Sequence, residues 1–462
     1  METGYAGAVK YNSRKGRVMM EAISINIKPF PMIEIIECQI KKEVNEHMRA
    51  YISGYINDKD VLSKCMPDTE ITIEITDDDG EVHTFFRGIT DKISNTEEGF
   101  LTKLEIHAIS KTTLLDSTEK VRFFYNKKQT YKEIVRYIVS DNKNASVIMN
   151  SVSEQPCNII AQYRETDWLF LKRLASCLNT VLVPDCTNSH ICFFFGLPTK
   201  DDAELDVEFY EVNITDHVQE YIIESREILN LCTPVEFHGH RLYVYGIESR
   251  LHKQELIHRY RLREKQGFQV KTYGNERIIG ASFMGEVSKV KNDVVRINCN
   301  YGCKVNNGDT VWFPFASVYS SPEGTGWYCM PEIGDRVRLH FPVENANQAY
   351  VINAVHTESD GDMRKNPEEK SIRTKHDKEI RFTPEKIMIT NHKGLSIVLD
   401  DEKGIMINSN KAVKITASES VEFASGGETS IVAGRGIIFR ENNNSLMISD
   451  GISHTGLTIQ YQ

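Results

Sequence analysis

From Leu399 onward, every eighth residue is apolar: Leu399, Ile407, Ile415, Phe423, Ile431, Phe439 and Met447. A second register, Ile389, Ile397, Ile405, Val413 and Val421, runs beside it, fails at Thr429 and recovers at Ile437. At 40% apolar usage, seven hits in a row arise by chance with a probability of roughly 0.002 per register. A repeat is a structural unit that buries its apolar face on its neighbours. Eight residues are too few for a full coil of a single-chain β-helix but suit one strand of about five residues plus a turn. Residues two apart in a strand share a face, so Ile405 and Ile407, or Val413 and Ile415, point the same way.

A lone ribbon of such units leaves that face in water. Three identical ribbons around one axis bury it, each forming one side of a triangular prism. Polar turns at Asp400-Asp401, Asn408 to Asn410 and Ser418 to Ser420 would lie outside. The expected interior of this trimer is Ile389, Ile397, Leu399, Ile405, Ile407, Val413, Ile415, Val421, Phe423, Ile431, Phe439 and Met447. The competing reading of residues 373–462 is an ordinary antiparallel sheet.

Upstream, the chain is strand-rich. Residues 1–29 read as an N-terminal arm and 30–115 as a first small barrel. There Ile71, Ile73 and Ile75 alternate with polar residues, and Asp79-Gly80 turns the chain back into Val82 to Phe86. Residues 116–200 hold helices. Thr130 and Glu133 are spaced as a capping box. A second helix starts near Thr166, with Trp168, Leu169, Leu171, Leu174 and Leu178 at helical spacing and Asn179 as a left-handed cap. Strands return over 201–270. Residues 275–358 pack about five short strands between turn signals such as Asn307-Gly308, as in an OB-type barrel. A polar linker, 359–372, precedes the octads. The fold class is therefore mainly β and multi-domain: a hub of two β-barrels with a small α/β insertion, an OB-fold, and a C-terminal triple-stranded β-helix formed by a trimer.

Three stretches carry a family likeness. Tyr163-Arg164-Glu165-Thr166-Asp167-Trp168-Leu169-Phe170-Leu171-Lys172-Arg173-Leu174-Ala175 is the most specific. Phe86-Arg87-Gly88-Ile89 and Pro331-Glu332-Ile333-Gly334-Asp335-Arg336-Val337 are the others, the last followed by Phe341 and Ala349-Tyr350-Val351-Ile352 and preceded by Gly326-Trp327. With the order of parts, they resemble the VgrG-type spike proteins of type VI secretion and the hub-plus-spike proteins of contractile phage tails. Asn179 stands where the family often has glycine, and the strand around Trp312 matches less well. The resemblance implies a structural homotrimer and no catalysis. Its six barrels would dock a hexameric tube protein among baseplate proteins, with an OB collar and a needle that touches membrane only by mechanical puncture. It also implies a PAAR-like tip protein at the C-terminal end and assembly in the bacterial cytoplasm before ejection.

Composition agrees with that reading. The net charge of -10 opposes non-specific nucleic-acid binding. The ten cysteines form no Cys-x-x-Cys pair, which points to reduced structural thiols. No run of apolar residues is long enough for a membrane span. His238-Gly239-His240 would put two imidazoles on one strand face, without a third metal ligand. The stretch from His252 to His258 lacks the helical His-Glu-x-x-His spacing. Asp77-Asp78-Asp79 reads as a solvated hairpin tip. No cofactor signature is present. The alternative function is a tail-associated cell-wall or polysaccharide hydrolase, which needs paired carboxylates in a cleft. An adhesin needs a globular head, for which only Gly456 to Gln462 remain after the octads.

Overall fold

The computed structural model describes residues 24–57, 66, 68–77, 80–150, 157, 159–205, 207–215, 218–303, 310–356 and 364–455. It divides into two compact units between residues 357 and 358.

The first unit is built on one continuous sheet of 12 strands. The first-barrel strands Glu34–Glu43, Arg49–Ile56, Glu70–Thr76, Val82–Glu98 and Leu101–Ser110 are joined by antiparallel pairing. Alternation places Ile71, Ile73 and Ile75 inside and their polar neighbours outside. The second barrel, with Val218–Ser225, His240–His252 and Glu255–Arg263, attaches directly: Gly246 to Arg250 pairs with Gln39 to Glu43. The two expected hub barrels share a ladder and an apolar core. That core runs from Ile40, Ile52 and Phe86 to Val244, Tyr260 and Leu262. The expected N-terminal arm also shrinks, because Ser24–Lys28 pairs with Thr72 to Thr76. At Gly88 an added Cβ would run into the Ile109 carbonyl, so the Phe86 to Ile89 motif requires glycine there.

Between the barrels lie α1 (Tyr131–Ser140) and α2 (Asp167–Cys177). The Thr130–Glu133 capping box closes α1. Thr166 caps α2 by accepting from Leu169 N, and Asn179 follows it at φ 52°. The Thr180 N–H then returns to the Ala175 carbonyl at 3.0 Å.

The motif around α2 is a set of staples. Buried Asp167 accepts from Arg122 Nη1 at 2.6 Å, Lys120 Nζ at 2.8 Å, Asn142 Nδ2 at 2.8 Å and Gln162 Nε2 at 3.0 Å. Burial alone would raise its pKa, but these donors hold the carboxyl below the usual range. Arg173 grips Glu165 with two nitrogens, at 2.8 and 2.7 Å. Trp168 Nε1 donates to the Asn45 carbonyl at 3.2 Å, tying the helix to the first barrel.

The third layer is a five-stranded barrel in the order Phe313–Pro314, Val294–Cys299, Ser282–Lys291, Arg336–His340 and Tyr350–Ala354. A bridge from Phe315 to Val351 closes it. It is not a separate bead on the chain. Gly302–Cys303 pairs with Phe123–Phe124 of the helical segment, and Phe123 stacks on Phe341 with centroids 5.4 Å apart. Asn307-Gly308 and most of Asp77-Asp78-Asp79 lie outside the described residues. Asp77 itself is buried and accepts from His83 Nε2 at 2.8 Å and from Glu81 N. The histidine pair falls on a turn rather than a strand face: Phe237 pairs with His240, leaving His238 and Gly239, both at positive φ, as a two-residue turn.

Candidate assembly surface

The second unit begins with five antiparallel strands: Lys370–Arg373, Glu379–Phe382, Lys386–Thr390, Leu395–Asp400 and Gly404–Ser409. The first of these takes up the end of the expected linker. Turns between them are polar; Asp400 accepts from the N–H groups of Glu402 and Lys403 at 3.1 and 3.0 Å.

Register determines what one face carries. Ile372 pairs with Ile380, Ile380 with Ile389, Ile389 with Ile397 and Ile397 with Ile407. Two residues along, Phe382 pairs with Ile387, Ile387 with Leu399 and Leu399 with Ile405. Directly paired residues point to the same side, so nine large apolar side chains make two cross-strand rows on one face. All nine are 38–73% exposed within the single chain. The opposite face carries Glu379, Arg381, Thr390, Ser396 and Asn408 around a half-buried row of Met388, Val398 and Met406. Glu379 is buried there between Arg381 Nε, at 2.7 Å, and His392. Burial alone would raise its pKa, but these two partners lower it.

Of the expected interior, Ile389, Ile397, Leu399, Ile405 and Ile407 therefore stand together. Ile372, Ile380, Phe382 and Ile387 join them, although the octad count omits them. Their apolar-x-apolar pairs, Ile380 with Phe382 and Ile387 with Ile389, are the signal that identifies them. Ser409 pairs with Leu395 and so lies on the apolar face; it is not in an outward turn.

Beyond Ser409 the single chain differs from the regular prism. Val413, Ile415, Val421, Phe423 and Ile431 are exposed and lie in residues 410–436, which belong to no strand. Strands resume at Ile437–Glu441, Asn444–Ile448 and Ile452–Thr455. The two-residue turn at Asn442-Asn443 pairs Phe439 with Leu446 and Ile438 with Met447. Phe439 and Met447 consequently occupy opposite faces, because the hairpin shifts the register by one.

Residues 43–177 match the family model of the phage tail baseplate hub. Residues 283–356 match that of the type VI secretion system/phage-baseplate injector OB domain. These two matches cover the helix-bearing hub segment and the OB barrel. No curated protein matches it. Solved structures with the same fold include the Escherichia coli c3393 protein, described as a type VI secretion component structurally similar to T4 bacteriophage tail proteins gp27 and gp5. It is 12% identical, with a TM-score of 0.54 over 71% of this chain and 98% of that one. Structures of the Francisella PdpA–VgrG complex also match. The half-lidded form is 11% identical at TM-score 0.54, over 85% of this chain and 88% of that one. The lidded form is 10% identical at 0.55, over 83% and 80%. Among the described residues, no helix is long and apolar enough to cross a membrane, and no cluster of three or more His, Cys, Asp or Glu could hold a metal ion.

Proposed function

We propose that this chain is the structural spike of a contractile injection system and works as a homotrimer. The supporting observation is the apolar face from Ile372 to Ile407, which none of the other described residues of the second unit covers. Three such faces meeting around an axis bury one another and leave the polar faces outward. Residues 410–436, which belong to no strand in a single chain, then gain strand partners from the other two copies. The needle interior is Ile389, Ile397, Leu399, Ile405, Ile407, Val413, Ile415, Val421, Phe423 and Ile431. Each aliphatic side chain taken fully from water contributes about 1.5–3 kcal/mol, which gives a stiff rod.

Under this reading the hub docks a hexameric tube protein among baseplate proteins. The needle pierces the target envelope under the thrust of contraction, and a PAAR-like protein sharpens its end. The particle assembles in the bacterial cytoplasm, and the chain performs no catalysis. Native mass spectrometry of the full chain tests the assembly, with a trimer of the 52.8 kDa chain expected. Co-purification with the tube protein tests docking. A folded monomer at micromolar concentration would overturn the proposal, and turnover of peptidoglycan or capsular sugar would favour a hydrolase instead.

A further inference from the structure

Strand alternation puts a lysine where the hub core expects an apolar residue. Along Glu34–Glu43 the inward positions are Cys38, Ile40 and Lys42, and Lys42 is 4% exposed. Its Nζ donates to the Phe85 carbonyl at 2.9 Å and stands 4.0 Å from the centroid of the Phe85 ring. That bond uses one of its three N–H groups, and among the described residues no carboxylate comes within ion-pair distance. Lys42 lines a cavity of about 120 Å³ together with Lys200 and Asn230. Lys200 lies over the Phe194 ring, 5.5 Å from its centroid, and has no ion pair among the described residues. The Asn230 side chain makes no hydrogen bond among them either. Asp185, the one carboxylate on the described wall, is turned to its own loop. It accepts from Thr187 N at 2.9 Å, the Thr187 hydroxyl at 2.7 Å and Asn188 Nδ2 at 2.8 Å. The wall therefore carries two positive charges against one negative, and donors without a matching acceptor.

We infer that this cavity binds a small inorganic oxyanion, phosphate or its isostere sulfate. A buried ammonium without a counter-charge is costly, and an anion against Lys42 removes that cost. The volume is about four times the share of one water molecule, roughly 30 Å³. It admits a single tetrahedral anion and is too small for a nucleotide. Several donors converging on one site suit an acceptor with several oxygens better than a single-atom ion. These donors come from three parts of the hub: Lys42 from the first barrel, Lys200 from the end of the helical segment and Asn230 from the second barrel. A bound oxyanion ties the three together from inside. The inference stands apart from the trimer proposed above and does not need it.

The test is calorimetric titration of the full chain with inorganic phosphate, in a phosphate-free buffer held at constant ionic strength with chloride. The wild-type chain should bind one phosphate per chain, saturably, and sulfate should compete. Lys42→Met removes the ammonium and keeps an apolar stem; Lys200→Gln removes the second charge at a partly exposed position, so it does not depend on the Lys42→Met chain folding. Each should weaken phosphate at least about tenfold. Lys41→Gln is the control, because Lys41 faces outward on the same strand; it should bind as the wild type does. A wild-type chain without saturable binding would overturn the inference. So would unchanged affinity in Lys200→Gln or in a folded Lys42→Met chain. Equal weakening by Lys41→Gln would also overturn it, because the ion would then respond to overall charge and not to the cavity.

Discussion

Replacing Ile397 by aspartate tests the needle at its centre. Ile397 lies in the middle of the sheet, paired with Ile389 on one side and Ile407 on the other. It is 39% exposed in one chain, so covering the remainder contributes about 1–2 kcal/mol at roughly 25 cal/mol per Å². In the proposed trimer three copies meet, so losing the side chain removes about 3–6 kcal/mol. The carboxylates add desolvation of at least about 2 kcal/mol each, since nothing on that face can pair with them. The sum, on the order of 10 kcal/mol, corresponds to about seven decades in the assembly constant. Light scattering coupled to size-exclusion chromatography should show loss of the trimer at micromolar concentration. The control is Ser396→Asp, one residue away on the polar face between Thr390 and Asn408; it should remain trimeric. Two aspartate variants of equal mass would refute the argument that this face is the interior.

Three further perturbations probe the hub. Asp167→Ala leaves buried Arg122 and its neighbour Lys120 with only the more exposed Asp141 carboxylate, and chemical denaturation should show a loss of about 1–3 kcal/mol. His258 is buried, with Nδ1 2.7 Å from the Ser249 hydroxyl and no hydrogen-bond partner for Nε2 among the described residues. Burial, with a smaller contribution from Lys42, pushes its pKa down to about 3. Because the folded value lies below that of the free side chain, the unfolded chain binds the proton more readily. Stability is intact above about pH 6.5 and falls toward pH 3, by up to about 1.4 kcal/mol per pH unit. His258→Leu should flatten that slope in denaturation curves measured across the window, and an unchanged slope would assign it to other groups. Asn179→Ala at φ 52° should cost about 1 kcal/mol in thermal unfolding, whereas Asn179→Gly should be neutral or slightly stabilising.

Local chemistry made much of this molecule legible. The capping box at Thr130, the cap at Thr166, the left-handed Asn179 and the alternation from Ile71 to Ile75 each depend on residues a few positions apart. Pairings between distant segments were not legible. Nothing local in Gln39 to Glu43 says that it will meet Gly246 to Arg250 and merge two barrels into one ladder. Gly302–Cys303 likewise carries no sign that it will extend a strand near residue 123. The histidine pair at His238 and His240 illustrates the same limit on a smaller scale. Two-residue alternation suggested one strand face, but His238 and Gly239 at positive φ make the turn itself, and only the register of Phe237 against His240 decides the matter.

The needle shows why a repeat is more informative than any single residue in it. Step length alone put Ile397, Leu399, Ile405 and Ile407 on one face, because eight is even and a strand alternates with period two. It failed at Ser409, and between Phe439 and Met447, where the hairpin geometry rather than the step sets the register. An antiparallel sheet with a polar second face could have satisfied the repeat within one chain only if that chain supplied a second layer to cover the isoleucines. Among the described residues of the second unit it supplies none. Those residues instead continue into a segment, 410–436, that belongs to no strand and whose apolar residues keep the same step. Accidental spacing would not continue through that change of structure. A requirement to meet the same residues of other copies, rung after rung, would.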